Sequence, residues 1–162
     1  MIREINKNDS KEVADIYNYY IKNTSITFEE NVVTENEMIE RIKSRNSNLP
    51  WIVYEKDNEI LGYAYATEWK SRCAYKFSVE SSVYLKHDRQ GKGLGTKLYQ
   101  ELLNRIKNSN IHVVIGGIAL PNDSSIALHE KLGFEKVAQF KEVGFKFEKW
   151  IDVGYWELII NK

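Results

Sequence analysis

Residues Gln90 to Thr96 set glycines at three alternate positions, Gly91, Gly93 and Gly95, at the head of an apolar stripe of helical spacing, Leu94, Leu98, Leu102 and Ile106. Upstream, Phe77, Val79, Val83 and Leu85 mark one face of a strand, and Lys76, Ser78, Glu80 and Tyr84 mark the other. The pattern is therefore strand, glycine turn, amphipathic helix, which obliges the chain to lay a helix on a sheet. Glycines at these positions permit unusual backbone angles and let a ligand approach the chain closely. The first N–H groups of the helix lack internal partners and carry the positive end of its dipole, so they suit a phosphate. Arg89, Lys92 and Lys97 add positive charge nearby. A P-loop would need Lys then Ser/Thr after its last glycine, whereas here Thr96 precedes Lys97; in a dinucleotide fingerprint the third glycine would fall one residue later. Both nucleotide motifs fail on spacing, and a plain flexible loop before a helix fits the same residues.

The remaining elements follow from period and punctuation. Ile2 to Ile5 reads as a short strand. Asp9 with Glu12 resembles a capping box ahead of Val13, Ile16, Tyr17, Tyr20 and Ile21, and Thr34 with Glu37 repeats the signal ahead of Met38 and Ile42. Trp51 to Tyr54 and Ile60 to Trp69 read as a hairpin through Lys56-Asp57-Asn58-Glu59. Val113 to Leu120 reads as a buried strand. Ser124 to Leu132 reads as a short helix stopped by Gly133, and two last strands lie near Lys136 to Phe147 and Val153 to Ile160. The order β-α-α-β-β-β-α-β-α-β-β predicts an α/β fold with a mixed sheet and helices on both faces. Nothing in the 162 residues marks a linker or repeat, so residues 1–162 are expected to form one domain.

Composition narrows the partners. Lys plus Arg and Asp plus Glu each total 23, so the footprint of a nucleic-acid or membrane-surface binder is missing. Cys73 is the only cysteine, which excludes an intrachain disulfide and suits a reducing, cytoplasmic setting. No run approaches a bilayer span, and His87, His112 and His129 are too scattered to set metal-ligand spacing.

Gln90-x-x-Gly93-x-Gly95 between a central strand and an amphipathic helix resembles the acetyl-CoA signature of the GNAT superfamily of N-acetyltransferases. Asn122 to Phe134, ending His129-Glu130-Lys131-Leu132-Gly133-Phe134, resembles that superfamily's closing motif. A narrower likeness, to the phosphinothricin and methionine-sulfoximine acetyltransferases, rests on four segments. These are Val79 to Tyr84, the glycine turn, Leu120 to Asp123, and Gly144-Phe145-Lys146 with Trp150 to Gly154. The resemblance implies acetyl-CoA as co-substrate, no metal, and a small-molecule amine as acceptor. The group also tends to be dimeric, and the aromatic stretch Phe140 to Trp156 is the candidate contact.

By the same resemblance, backbone groups of Val83, Tyr84 and Leu85 pair with the pantetheine arm, and a backbone N–H near Val83 is the oxyanion donor. Gln90, Gly91, Lys92, Gly93, Leu94, Gly95 and Thr96 take the pyrophosphate, and Asn122 supports the arm. Val83 and Leu85 read equally as core. Glu80 is the candidate base: a carboxylate inside a strand is disfavoured by propensity, so it lies on a wet face or serves the chemistry. Its ordinary pKa of about 4.3 is far below that of an alkylammonium, so it would act through burial or a water relay. His129 stands where the superfamily usually has a tyrosine acid; it is a candidate proton donor to the thiolate or a helix-surface histidine. On the acceptor side the resemblance implies Lys70, Ser71, Arg72, Glu80, Ser81 and Ser82, with Phe28 and Glu29 capping the pocket and Tyr75 and Phe145 lining it. Lys70 and Arg72 suit a carboxylate or phosphinate, or form an ordinary basic surface loop. The aromatics fit core packing as well.

The implied reaction is direct acetyl transfer to the α-amino group of an amino-acid analogue of the phosphinothricin, methionine sulfoximine or sulfone type. A protein N-terminus or a polyamine would use the same chemistry, and a non-catalytic acyl-CoA sensor would use the binding turn alone.

Overall fold

The computed structural model describes residues 1–161. Its elements are β1 (Ile2–Glu4), α1 (Ser10–Asn23), α2 (Glu35–Ser44), β2 (Trp51–Lys56), β3 (Glu59–Glu68) and β4 (Ser78–Leu85). They continue with α3 (Leu94–Lys107), β5 (Val113–Ala119), α4 (Asp123–Lys131), β6 (Glu135–Lys146) and β7 (Lys149–Ile159). That is the order predicted from the sequence. The strands form one mixed sheet in the order β1-β2-β3-β4-β5-β7-β6, in which only β4 and β5 run parallel.

Strand alternation separates two cores. Val53, Tyr63 and Tyr84 point to one face, where Val13, Tyr17, Tyr20 and Ile21 of α1 and Met38 and Ile42 of α2 cover them. Ile52, Ala64, Val79, Val114 and Trp156 point to the other, under Leu98, Leu102 and Ile106 of α3, with Ile126 and Leu128 of α4 alongside. Leu98, Leu102 and Ile106 are wholly buried, each contributing about 2 kcal/mol of transfer free energy. Among the described residues no side chain of β5, β6 or β7 joins the α1/α2 core. That half of the α1/α2 face carries no helix.

Local signals explain the boundaries. Thr34 accepts from the Glu37 N–H while Glu37 accepts from the Thr34 N–H, a full capping box. Asp57 and Asn58 both take positive φ, 53° and 61°, as a two-residue hairpin matching the strand twist requires. At the first helix the expected pairing is displaced. The capping box belongs to Asn6 and Asp9 on a preceding 3₁₀ turn, Arg3 clamps Asp9 with two bonds of 2.8 Å, and Glu12 instead accepts from the Ile60 N–H. The last two strands are also closer than predicted: β7 begins at Lys149, because Phe147 and Glu148 turn with φ of 51° and 57°.

Candidate active site

β3 pairs with β4 from Gly62 opposite Leu85 to Glu68 opposite Val79. On its other edge β4 pairs with β5 only from Ser78 to Glu80, against Val113 to Ile115. Beyond Glu80 the two strands part, so the β4 backbone from Ser81 to Leu85 faces a gap with no strand across it. Unpaired strand groups of this kind are ready to bond an extended ligand. The gap opens into a cleft of about 710 Å³ whose walls include Val83, Leu85, Gln90, Gly91, Gly93, Gly95, Thr96 and Asn122. One cleft thus gathers most of the residues assigned to the cofactor.

The turn at its mouth owes its shape to glycine. Gly91 and Gly93 have φ of 74° and 75°, and a Cβ at either would meet nothing within 4 Å, so the glycines answer to backbone angle rather than crowding. Gly93 caps α3 in the left-handed conformation and its carbonyl accepts from the Lys97 N–H at 3.2 Å, leaving the amides of Leu94, Gly95 and Thr96 without helical partners. Three free amides at a helix N-terminus suit a phosphate. Lys92 and Leu94 differ from expectation: their side chains line a separate hollow with Tyr54, Glu59 and Arg89, so only their backbone belongs to the turn. Asn122 caps α4, its side-chain oxygen accepting from the Ser125 N–H at 3.2 Å, which leaves its amide N–H groups for a ligand.

Tyr20 and Ile26 also line the cleft and were not foreseen. The Tyr20 hydroxyl donates to the Leu85 carbonyl and accepts from the Gln90 side chain at 2.8 Å, tying α1 to the strand and the turn. Tyr20 reads as core because it falls on the buried stripe of α1; only its hydroxyl reaches the site.

Glu80 lies at the fork, on the α1/α2 face of the sheet. A Cβ on Gly117 would come within 3.3 Å of its Oε1 and 3.1 Å of the Tyr155 ring, so Gly117 leaves the carboxylate its space. Trp69 packs edge-on against Tyr155 at 5.5 Å, giving Glu80 aromatic neighbours. Among the described residues no group donates a hydrogen bond to this carboxylate. Burial pushes its pKa above the ordinary carboxylate value, and the charge of Lys70 opposes that only in part. Lys70, Ser71, Arg72 and Tyr75 form an exposed loop beyond Trp69, with the Lys70 ammonium 5.0 Å from the Trp69 ring centre. Ser82 shares the Glu80 face, opposite Tyr65.

Three acceptor-side expectations change. Ser81 points to the α3 face, where it is buried and bonded to the Tyr99 hydroxyl at 2.5 Å, because neighbours in a strand face opposite ways. Phe145 packs at a tilt against Trp150, ring centres 4.7 Å apart, on the opposite side of β6 from Gly144 and Phe28. Glu29 is committed to Arg41, with bonds of 2.9 and 2.5 Å, and to the Tyr17 hydroxyl, which holds its pKa below the ordinary value despite partial burial. Phe28 is exposed and rests on Gly144.

His129 also sits differently. It is 8 % exposed, between Tyr99 and Phe134 with ring centres 5.1 Å away, and it does not line the cleft. Its Nδ1 lies 2.7 Å from the Ser125 carbonyl, which can only accept, so Nδ1 carries the proton. Burial lowers its pKa, the Ser125 bond opposing, and keeps the ring neutral near pH 7. The one proton of the neutral ring is then committed to the helix.

Residues 2–154 match the model of the acetyltransferase (GNAT) domain. The chain belongs to the GNAT acetyltransferase family. It is 38% identical over 156 residues to a phosphinothricin N-acetyltransferase of Streptomyces viridochromogenes, covering 96% of this chain and 85% of that one. It is 33% identical to an L-methionine sulfoximine/L-methionine sulfone acetyltransferase of Salmonella typhimurium, covering 99% and 95%. Among solved structures, a GNAT phosphinothricin acetyltransferase of Sinorhizobium meliloti in complex with acetyl-CoA superposes with a TM-score of 0.95 at 34% identity, covering 99% of this chain and 88% of that one. As a GNAT acetyltransferase the chain uses acetyl-CoA as its acyl donor. The parted strands and the glycine turn fit that donor: a strand edge suits the amide-bearing arm, and free helix amides suit a pyrophosphate. No described helix is long and apolar enough to cross a membrane, and no described cluster of His, Cys, Asp and Glu suits a metal ion.

Proposed function

We propose that this GNAT acetyltransferase acetylates the α-amino group of a small amino-acid analogue of the phosphinothricin, methionine sulfoximine or methionine sulfone type. The observation that carries the reading is Glu80, a half-buried carboxylate without a hydrogen-bond donor, at the point where β4 leaves β5. An amine arriving from the open sheet face meets that carboxylate, with the donor cleft beyond it. Acetyl-CoA supplies an acyl group activated as a thioester. Glu80, directly or through water, removes a proton from the ammonium, a task its raised pKa favours. A backbone N–H near Val83 receives the developing oxyanion. Lys70 and Arg72 attract the carboxylate or phosphinate of the acceptor, Arg72 as a fork. Ser82, Ser71, Tyr75 and Phe28 complete the acceptor side.

In this reading His129 holds α4 against β5 and the thiolate takes its proton from another source. The chain acts as one domain in the cytoplasm and forms a homodimer. The supports are its lone cysteine and the exposed apolar side chains of the β6–β7 hairpin: Val143, Phe145, Phe147 and Trp150 are all more than half exposed. The deciding experiment follows thiol release from acetyl-CoA with phosphinothricin, methionine sulfoximine, methionine sulfone, spermidine and an N-terminal peptide. Release with the first three supports the reading; release only with spermidine or the peptide refutes it.

A further inference from the structure

The segment from Thr24 to Glu30 links α1 to the stretch before α2 and forms the wall between the two halves of the site. Ile26 lines the donor cleft, and Phe28 lies across the sheet's open half on Gly144. Segments of this kind are usually held by the helices they join. Both ends here obey that rule: the Thr24 N–H and hydroxyl donate to the Tyr20 carbonyl of α1 at 3.2 and 2.8 Å, Tyr17 of α1 bonds Thr27 through their hydroxyls at 2.7 Å, and Arg41 of α2 holds Glu29.

A further anchor comes from across the sheet. Lys146, the last residue of β6, is 2 % exposed, and its ammonium donates to the carbonyls of Thr24 and Thr27, each at 2.8 Å. No carboxylate lies within salt-bridge distance among the described residues; the Phe147 ring is 5.1 Å from the ammonium, and the charge of Glu30 acts on it from farther off. A buried cation with no carboxylate in direct contact is an expensive way to pack a strand end, and an apolar side chain would do it better. What an apolar residue lacks is the ability to bond two carbonyls of one segment at once. Gly144, two residues earlier on the same side of β6, receives the Phe28 ring: a Cβ there would come within 2.5 Å of its Cε2.

We infer that Lys146 is a positioning residue for the acceptor. It fixes Thr24 to Glu30 to β6, holds Phe28 over the open sheet face, and thereby sets the affinity for the acceptor amine. The inference rests on the acceptor lying on that face, as proposed above. The donor is gripped independently by the glycine turn, the α3 amides and the β4 edge, so the two Michaelis constants should respond unequally.

The experiment compares wild type with Lys146→Met and with Gly144→Ala, which leaves the lysine but displaces Phe28. Three readouts are taken: KM for each substrate, Tm, and hydrogen exchange of the amides of residues 24–30. Both variants should raise the acceptor KM about tenfold or more and leave the acetyl-CoA KM within about threefold. Lys146→Met should also speed exchange in residues 24–30 by about tenfold or more, with α3 unchanged. An acceptor KM within twofold of wild type in either folded variant overturns the inference. So does a parallel rise of both KM values with a falling Tm, which would mark a merely structural lysine. If Lys146→Met does not fold, Gly144→Ala decides through the KM values alone. If wild type acetylates none of the proposed amines, the acceptor reading fails by itself. Exchange over residues 24–30 still decides the anchor, since unchanged exchange in Lys146→Met would refute it.

Discussion

Gly116→Ala is the sharpest available test of what His129 does. A Cβ at Gly116 would sit 2.5 Å from His129 Nε2 and 2.7 Å from its Cδ2. Ordinary contact is about 3.5 Å, so the methyl intrudes by about 1 Å. The ring has little room to retreat: Tyr99 and Phe134 stand edge-on with centres 5.1 Å away, and Nδ1 is held by the Ser125 carbonyl at 2.7 Å. Overpacking of this kind costs about 1–3 kcal/mol, and losing the buried bond adds about 1 kcal/mol. The expected loss is thus about 2–4 kcal/mol, or roughly 5–15 °C in Tm for a chain of this length. Thermal and urea unfolding of Gly116→Ala, His129→Ala and the double variant would measure it. Removing the ring makes space for the methyl, so the double variant should be more stable than additivity predicts by about 1 kcal/mol or more. A Tm for Gly116→Ala within about 2 °C of wild type, or an additive cycle, would refute the packing argument. The functional half is His129→Asn, which keeps a donor for the Ser125 carbonyl. Turnover within about threefold of wild type is expected. A loss of about a hundredfold at unchanged stability would restore the histidine as a proton donor.

Glu80→Gln should abolish most turnover at unchanged acetyl-CoA affinity, and should flatten the rise of kcat/KM with pH that the wild type shows as Glu80 ionises. Its stability effect has a definite sign. Burial raises the folded-state pKa, so the stability contributed by this group is full below the unfolded value and lost as pH rises through the folded one. Glu80→Gln should therefore raise Tm at pH 7 and leave it unchanged near pH 3.5; a lower Tm at pH 7 would contradict the burial argument. Gly93→Ala places a side chain at φ of 75°, with a strain of about 1–2 kcal/mol. It should raise the acetyl-CoA KM several-fold while sparing the acceptor KM, as steady-state kinetics with each substrate varied would show.

Periodicity and punctuation made the element order legible: the stripe from Leu94 to Ile106, the Thr34 capping box and the Asp57-Asn58 turn each carry their instruction locally. The β6–β7 hairpin was harder to place because Phe147 and Glu148 adopt positive φ without the usual Gly or Asn, so tertiary packing rather than turn chemistry fixes where β7 begins. The glycine turn before α3 was legible for the same local reason. A glycine turn before a helix writes its ligand chemistry in consecutive residues, and only the side chains of Lys92 and Leu94 turned away.

The acceptor half is assembled from residues far apart in sequence, which is why it resisted reading. Arg41 pairs with Glu29 across 12 positions, and Lys146 reaches Thr27 across 119. Strand parity alone was enough to turn Ser81 away from Glu80, but nothing local announces that Glu29 is already neutralised by Arg41 or that the His129 ring sits against Gly116. On the proposed reading, the local signals hold coenzyme A and the long-range contacts shape the space in front of Glu80. Acceptor specificity should accordingly respond to substitutions at the long-range anchors Arg41, Gly144 and Lys146. Donor affinity should respond to those in the turn. Relatives that share the turn can differ in their amines without altering a residue of it.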